Sequence, residues 1–348
     1  MKQINTALCS FGMSGLMFHA PFIHAHRGFK LYGIWERSVK KAAEKYPDII
    51  SFDSIDTMLA DDNIELVIVN TPIYTHYEFA KKALEAGKHV LVEKAFTVTV
   101  AEAEELAMLA KKQNRQLCIF QNRRYDSDFK TVKRIVEEGR LGDIKEVEFH
   151  YDRFNLELSP KIHKEDGNAG AGILHDLGPH LADQVLFLFG MPAGVFGSLR
   201  ITRRGSLVND YLDAMLFYQE FIVRLKAGFI VKEIPYSFIL HGNNGSFLKA
   251  RADVQEDELK AGKLPGGNDW GTEALSAMGL LVTDQSGETC RENIVSEQGN
   301  YMEFFNELFE AIRKNKAVPV TAEEGIKVMK LLEAIALSSD TKKIISVS

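Results

Sequence analysis

An apolar run leads into a glycine-containing turn in Ile4-Asn5-Thr6-Ala7-Leu8-Cys9-Ser10-Phe11-Gly12-Met13-Ser14-Gly15. The spacing is that of G-x-G-x-x-G, with Ser10 in place of the first glycine. Between a strand and a helix, this spacing is typical of the first βα unit of a dinucleotide-binding sheet. Gly12 would let the backbone approach a pyrophosphate, which then meets the positive end of the following helix.

An acidic residue stands where the next predicted strand, Phe29–Trp35, ends. Glu36 lies 21 residues beyond Gly15, a position from which a carboxylate holds the ribose of an adenosine. Arg37, Ser38 and Lys41 follow closely and could instead hold a 2′-phosphate. Glu36 favours NAD and its neighbours favour NADP, so the choice between the two stays open.

The rest of the first 122 residues alternates apolar strands with amphipathic helices. Further strands are predicted at 65–70, 88–92 and 117–121. Two helices are predicted to begin at the capping boxes Thr75-His76-Tyr77-Glu78 and Thr99-Val100-Ala101-Glu102. Strands separated by helices in this rhythm predict an α/β fold with a doubly wound parallel sheet.

Lys94 stands directly after one of these strands, in Lys88-His89-Val90-Leu91-Val92-Glu93-Lys94. In open α/β sheets the ligand lies beyond the carboxyl ends of the strands. A cation delivered there is placed to act on a molecule bound beside a nucleotide. Lys94 is therefore the first candidate for a catalytic residue.

After residue 122 the pattern changes to successive strands. Residues 147–151 alternate between apolar and polar side chains, and more strand-like stretches follow up to residue 240. Residues 253–272 are rich in charge and glycine and predict a long surface loop or a lid. We expect a Rossmann domain at 1–122 and, at 123–348, an α+β domain with a large mixed or antiparallel sheet.

A second group of chemically capable residues lies in Leu174-His175-Asp176-Leu177-Gly178-Pro179-His180. Asp176 and His180 are four residues apart and would come together if the first turn is helical. A carboxylate beside an imidazole raises its basicity, as a general base near neutral pH requires. The alternative is that His180 is a partly buried helix residue and that Asp176 is its N-terminal cap.

Composition narrows the class of protein. A hydrophobic content of 45% and a charged content of 26% are typical of globular chains. The net charge of −6, with scattered Lys and Arg, argues against a nucleic-acid partner. No apolar run approaches the ~20 residues of a membrane span. The three cysteines lack metal-ligand spacing, and His19, His24 and His26 are expected on an exposed helix face, so no metal site is predicted.

Taken together, these segments resemble the Gfo/Idh/MocA oxidoreductase family, and in particular its branch containing scyllo-inositol dehydrogenases. The matching segments run in the family's order: the glycine turn with Phe18-His19-Ala20-Pro21, Asn70-Thr71-Pro72, Ala86-Gly87-Lys88-His89-Val90 with Glu93-Lys94, Asn122-Arg123-Arg124, and Asp176-Leu177-Gly178-Pro179-His180. The resemblance implies hydride transfer between a sugar or cyclitol hydroxyl and a nicotinamide.

The resemblance also assigns roles to residues. It implies that His180 takes the hydroxyl proton, that Lys94 polarises the same oxygen, and that Asp176 orients the polyol and His180. Substrate contacts are expected from Lys94, Tyr125, His163, Asp176 and His180. Cofactor contacts are expected from Ser10, Gly12, Met13, Ser14, Gly15, Glu36, Arg37, Ser38, Thr71, Pro72, His76, Glu93, Gln121 and Asn122.

The chain departs from the family pattern at points that concern the substrate. The usual Glu-Lys-Pro is Glu93-Lys94-Ala95 here, and without proline we expect a trans bond. His163-Lys164-Glu165 replaces a Trp-Arg-Glu, and His175 replaces a tyrosine. Substrate identity is therefore more open than reaction class.

Two alternatives to a dehydrogenase remain. One is a glycoside hydrolase that uses NAD without net redox change. The other is a nucleotide-gated ligand-sensing protein, against which the retention of Lys94 and His180 argues. A cytoplasmic protein is expected, without nucleic-acid or membrane partners. We also expect a homodimer or homotetramer, formed through the C-terminal sheet.

Overall fold

The computed structural model describes residues 2–37, 39–161, 164–285 and 287–347. The chain divides into two compact units. The first comprises Met1–Asn122, Gln255–Trp270 and Asn300–Ile326, and the second comprises Arg123–Val254, Gly271–Gly299 and Lys327–Ser348.

A parallel sheet forms the centre of the first unit. Its strands are β1 (Ile4–Leu8), β2 (Phe29–Trp35), β3 (Ile50–Phe52), β4 (Leu66–Val69), β5 (His89–Val92) and β6 (Leu117–Ile119). They lie in the order β3-β2-β1-β4-β5-β6, and every paired neighbour is parallel. All four residues of β4 are buried, as expected of a strand covered on both faces. The predicted doubly wound sheet is confirmed.

Helices connect these strands. They are a π-helical turn (Gly15–His19) that continues into α1 (Ala20–Ala25), then α2 (Ala42–Lys45), α3 (Ile55–Leu59), α4 (His76–Glu85) and α5 (Val100–Lys112). The capping box at Thr99 is confirmed, since its side chain accepts from the Glu102 N–H. The one predicted at Thr75 is wrong, because the Thr75 hydroxyl donates to the carbonyl of Pro72 and makes no cap bond.

A mixed nine-stranded sheet forms the centre of the second unit in the described residues. Its strands are β7 (Ile144–Asp152), β8 (Gly194–Arg200), β9 (Tyr211–Phe217), β10 (Ile222–Gly228), β11 (Phe238–Gly242), β12 (Gly245–Lys249), β13 (Gly279–Gln285), β14 (Glu288–Ile294) and β15 (Ile345–Ser346). The order is β14-β13-β12-β11-β7-β10-β9-β8-β15. Only β7 and β10 pair in parallel among these strands, so the predicted mixed sheet is confirmed.

In the second unit, α6 (Ser127–Glu137) precedes β7 in the chain, and α7 (Ile173–Asp176) and α8 (Gly178–Phe189) follow it. Helix α8 packs on β7 and β10. Strand β7 buries Val147, Phe149 and Tyr151 on one face, because alternate side chains of a strand point the same way. Helix α8 therefore sits on the central strands of the sheet.

Later segments of the chain return to the first unit. They contain most of α9 (Val254–Lys260), all of α10 (Tyr301–Lys314) and the start of α11 (Ala322–Thr341). Phe22 of α1 stacks on Phe305 of α10 at a ring-centroid distance of 5.3 Å, and Trp270 meets Phe22 edge-on at 6.2 Å. The prediction of a surface loop over 253–272 is thus wrong in part, because α9 is helical and aromatic packing buries Trp270. Among the described residues, no helix combines the length and apolar character needed to cross a bilayer.

Candidate active site

The glycine turn is fastened to the end of β4 by Asn70. The Ser10 N–H donates to Asn70 Oδ1 at 3.0 Å, and Asn70 Nδ2 donates to the Ser10 carbonyl at 2.9 Å. A Cβ added to Gly15 would lie 2.4 Å from that carbonyl oxygen, so only glycine fits there. Ser10 does not have a positive φ, which explains why serine can replace the usual first glycine.

Gly12 and Met13 form the exposed lip of the turn. A Cβ built on Gly12 would meet only Ser10 Oγ, at 3.9 Å, so this glycine faces open space rather than packed neighbours. Ser14, also predicted to contact the cofactor, is half-buried in the first turn of the helix. Open space before a helix N-terminus is the arrangement that accepts a phosphate group.

Glu36 follows β2 as predicted, but its carboxylate caps the start of α2. Oε1 accepts from the Lys41 N–H and Oε2 from the Ala42 N–H, each at 3.0 Å. Arg37 is exposed beside it, and Ser38 lies outside the described residues. Both oxygens of Glu36 are therefore already hydrogen-bonded to the backbone.

Thr71, Pro72 and His76 form a compact hydrogen-bonded turn after β4. The Thr71 hydroxyl lies 2.6 Å from Thr75 Oγ1. The ring nitrogens Nδ1 and Nε2 of His76 lie 2.8 Å from the carbonyl oxygens of Ala95 and Thr71. Both contacts are hydrogen bonds only when the ring carries two hydrogens. Burial opposes that charge and lowers the pKa of His76, while nearby Glu93 favours it.

Lys94 follows β5, and its peptide bond to Ala95 is cis. The expectation of a trans bond, based on local preference alone, was wrong. Ala95 is buried and its carbonyl oxygen is held by His76, and such tertiary contacts are not visible in the local sequence. On the other side, the Lys94 N–H donates to Glu93 Oε2 at 3.1 Å. The backbone of Lys94 is thus fixed both before and after its Cα.

Glu93 is itself buried and paired with a histidine. Its Oε1 lies 2.8 Å from His19 Nε2, and His19 is fully buried. Burial acts to raise the pKa of Glu93, but the His19 hydrogen bond and the charges of Lys94 and His76 outweigh it, so the pKa lies below its ordinary value. The prediction that His19 lies on an exposed helix face was wrong, because the ring packs on Phe120 at 4.4 Å.

Gln121 and Asn122 lie just beyond β6. Both are buried, and Gln121 Oε1 has no hydrogen-bond partner within the described part of the chain. Buried amide oxygens are normally paired, so this atom is suited to a ligand that donates a hydrogen bond. Together with the open space at Gly12, the first unit fits a nicotinamide dinucleotide.

In the second unit, Asp176 and His180 belong to two successive helices. Asp176 ends α7 and His180 is the third residue of α8, with Leu177 between the two helices. Asp176 Oδ2 accepts from Lys164 Nζ at 2.7 Å, and both side chains are about one-third exposed. His180 is 6% exposed. The predicted acid thus carries an ion pair, which sequence spacing alone could not predict.

An aromatic residue lies near His180 in the second unit. Its ring centroid lies 6.4 Å from that of Tyr151 at the end of β7, a neighbour that sequence reasoning did not propose. Burial raises the pKa of Tyr151 and lowers the pKa of His175, just before Asp176. Tyr125 is also buried, and His163 lies outside the described residues.

For the described residues, no group of three or more His, Cys, Asp or Glu side chains could hold a metal ion.

Comparison with known proteins identifies the class of this chain. The profile described as "Oxidoreductase family, NAD-binding Rossmann fold" matches residues 4–121. The profile "Oxidoreductase family, C-terminal alpha/beta domain" matches residues 133–347. The chain is thus an oxidoreductase with an NAD-binding Rossmann fold. It belongs to the Gfo/Idh/MocA family, as the sequence resemblance predicted.

Similar proteins align over nearly the whole chain. The scyllo-inositol 2-dehydrogenase (NADP(+)) of Bacillus subtilis is 35% identical, over 99% of this chain and 96% of that protein. The uncharacterized oxidoreductase YdgJ of Escherichia coli is 37% identical over 95% of each. Among solved structures, the oxidoreductase yvaA of Bacillus subtilis covers 100% of both chains with a TM-score of 0.95 and 34% identity.

Proposed function

We propose that this protein is an NAD(P)-dependent dehydrogenase that acts on a hydroxyl of a sugar or cyclitol. The observation that carries the proposal is Lys94, an ammonium group at the carboxyl end of β5 whose backbone is held on both sides. The presence of His180 in the family-like segment Asp176-Leu177-Gly178-Pro179-His180 supports the proposal. Similarity to a dehydrogenase of scyllo-inositol supports it as well. A redox reaction on a polyol accounts for the lysine, the histidine and this similarity.

In the proposed mechanism, the hydride and the proton of the alcohol are transferred to different groups. Bound nicotinamide supplies the hydride acceptor or donor. Lys94 Nζ donates a hydrogen bond to the carbinol oxygen and stabilises its developing negative charge. His180 takes the hydroxyl proton on a ring nitrogen as the polyol is oxidised and returns it in the reverse direction. Asp176 orients the substrate.

A substrate panel tests the proposal. Inositols, aldoses and their keto forms are each incubated with NAD or NADP, and the nicotinamide absorbance is followed. We expect turnover with at least one cyclitol or sugar. Lys94→Ala and His180→Ala should each lower kcat by about 10²-fold or more, whereas Lys112→Ala and His24→Ala, at exposed positions, should leave it unchanged.

Two other outcomes would count against this function. Cleavage of a glycoside without net change in nicotinamide absorbance would favour the hydrolase. Binding of a polyol with no turnover in any combination would favour a ligand-sensing protein.

We further infer a preference for NADP over NAD. The Glu36 carboxylate, which would hold an adenosine ribose, accepts two backbone N–H groups, while the Arg37 side chain is exposed beside it. The similar protein of Bacillus subtilis is described as NADP(+)-dependent. We expect tighter binding of NADPH than of NADH by protein fluorescence. Arg37→Ala should weaken NADPH binding about tenfold, the value of a charged hydrogen bond, and leave NADH binding unchanged.

We also propose that the chain forms a homodimer or homotetramer through its nine-stranded sheet. Phe196 of β8 and Met215 of β9 are directly paired in register, and each is 37% exposed. Adjacent exposed apolar side chains on a sheet face favour contact with a second copy. Light scattering at micromolar protein should give a multiple of the chain mass, and Phe196→Glu should reduce it. A monomeric mass for the unmodified protein would exclude the assembly.

A further inference from the structure

The residue that precedes the proposed catalytic lysine belongs to a buried pair of ionisable side chains. His19 is fully buried and Glu93 is 9% exposed, and His19 Nε2 lies 2.8 Å from Glu93 Oε1. Both residues belong to the first unit. An ordinary core position at either site would hold an apolar side chain, because burying a polar group costs free energy unless it is well paired.

The pair is connected to Lys94 through the backbone. The second oxygen of Glu93, Oε2, accepts from the Lys94 N–H at 3.1 Å. With Oε1 on His19 and Oε2 on the Lys94 amide, each carboxylate oxygen has a defined partner. Glu93 was predicted to contact the cofactor, but its position favours a different role, that of a bridge between His19 and Lys94.

The surroundings of His19 explain why its hydrogen bond goes to Glu93. The ring packs on Phe120 at 4.4 Å and meets Phe305 edge-on at 6.4 Å. Within the part of the chain that is described, Nδ1 has no hydrogen-bond partner. The tautomer with hydrogen on Nε2 is the neutral form that donates to Glu93. A buried histidine with one unpaired ring nitrogen therefore stabilises the fold less than an apolar side chain of similar size would.

The charge of Glu93 also acts on the far side of Lys94. His76 Nδ1 lies 2.8 Å from the Ala95 carbonyl oxygen; burial lowers the pKa of that ring, and the Glu93 carboxylate only partly opposes the shift. The carboxylate fixed by His19 therefore holds the N–H of Lys94 on one side of its Cα, and His76 contacts the Ala95 carbonyl oxygen on the other side. These contacts hold the backbone on either side of the lysine side chain.

We propose that His19 is a positioning residue, which acts through Glu93 to fix Lys94 where it meets the substrate oxygen. This inference rests on the proposed dehydrogenase function. Its consequence is kinetic, since a displacement of about 1 Å at a catalytic group can cost roughly 10²-fold in rate.

Matched variants test the role by steady-state kinetics. His19→Leu removes the donor and keeps an apolar side chain, while His19→Gln provides an amide donor in its place. We expect His19→Leu to lower kcat about 10²-fold, with little change in KM or in nucleotide affinity by fluorescence, and His19→Gln to restore most of the loss. His24→Leu, at an exposed position of the same helix, is the control and should have no effect.

A second readout does not depend on turnover. The rate at which an amine-reactive acetylating reagent modifies Lys94 is measured across pH by mass spectrometry. In His19→Leu the dependence of the Lys94 acetylation rate on pH should change, whereas that of exposed Lys112 should not. His19→Gln should restore the pH dependence of the unmodified protein. If His19→Leu fails to fold, Glu93→Gln is measured instead, because it keeps the shape of the side chain and removes its charge. It should show the same decrease in kcat and the same change in Lys94 acetylation.

The two proposals can fail separately. Unmodified protein that turns over no polyol would remove the dehydrogenase function, while the labelling of Lys94 would still decide the role of His19. A folded His19→Leu protein with unchanged kcat and unchanged Lys94 labelling would overturn the positioning role. The same result in Glu93→Gln would overturn it where His19→Leu does not fold.

Discussion

At the scale of single residues, two glycines of the same turn have different structural roles. A Cβ on Gly15 would collide with the Ser10 carbonyl oxygen at 2.4 Å, while a Cβ on Gly12 would have its nearest neighbour at 3.9 Å. The sequence motif predicts both glycines, but it does not separate a packing requirement from a ligand requirement. That distinction depends on which neighbour faces each Cα.

The difference gives a paired prediction. Gly15→Ala should lower the melting temperature, because the backbone of Ser10 has to move. Gly12→Ala should leave the melting temperature unchanged and weaken binding of the dinucleotide, because the added methyl group would occupy the space proposed for the pyrophosphate. Calorimetric unfolding and a fluorescence titration with NADPH measure the two effects. Equal nucleotide affinity in Gly12→Ala and the unmodified chain would argue against this position for the pyrophosphate.

The places of the candidate catalytic residues in the fold were easier to predict than the contacts around them. Lys94, Asp176 and His180 were recognisable because each stands at the end or beginning of an element. The contacts His19–Glu93, Lys164–Asp176 and Tyr151–His180 were not predicted, because they join residues that are 74, 12 and 29 positions apart in the chain. Phe18-His19-Ala20-Pro21 was noticed as a motif, but helical periodicity shows which side chains share a face and not what that face meets.

At the scale of elements, helix α5 shows how a local rule succeeds. Thr99 Oγ1 accepts from the Glu102 N–H, and Glu102 Oε2 accepts from the Thr99 N–H at 3.0 Å. The rule failed at α4 because the backbone of Thr75 is already in the helical region (φ −107°, ψ −6°), whereas that of Thr99 is extended (φ −125°, ψ 155°) as an N-cap requires. Capping motifs are therefore reliable only where the preceding turn leaves the cap residue extended.

Helix α5 supplies a measurable consequence. Thr99→Ala should lower the free energy of unfolding by about 1 kcal/mol, the usual cost of losing an N-cap side chain. Thr99→Ser keeps the accepting oxygen and serves as the control, with little change expected. Urea denaturation of the three proteins gives the comparison, and an alanine variant as stable as the serine variant would contradict the capping role.

At the scale of the whole molecule, the alternation of strands and helices was sufficient to predict the parallel sheet. It did not predict that Gln255–Trp270 and Asn300–Ile326 return to the first unit. The returning aromatic residues pack on α1, as the 5.3 Å stacking of Phe305 on Phe22 shows. Such contacts between distant segments depend on shape complementarity, which local periodicity does not contain.

Stability of the molecule should fall in mild acid, and His89 contributes to this. Burial, and then the charge of Arg115, lower the pKa of His89 to about 4, and its Nδ1 accepts from the Gln116 N–H at 2.9 Å. Between about pH 6.5 and pH 4 the unfolded chain binds a proton that the folded ring does not, so the free energy of unfolding decreases as pH falls. The expected contribution over this window is roughly 3 kcal/mol.

A single variant isolates that contribution. His89→Gln cannot titrate, so its unfolding free energy should depend less on pH between 6.5 and 4 than that of the unmodified chain. Chemical denaturation at a series of pH values measures both slopes. Identical slopes would show that His89 does not titrate in this window.

Isotopic labelling shows whether the hydride passes directly from a polyol carbon to the nicotinamide. Ring-deuterated scyllo-inositol and C-deuterated aldoses are incubated with the protein and oxidised nicotinamide dinucleotide in ordinary water. Mass spectrometry of the reduced nucleotide should show one deuterium at the nicotinamide ring, and Lys94→Ala and His180→Ala should slow its appearance by about 10²-fold or more. Reduced nucleotide without deuterium, or no reduction with any of the labelled polyols, would exclude direct hydride transfer from a polyol carbon.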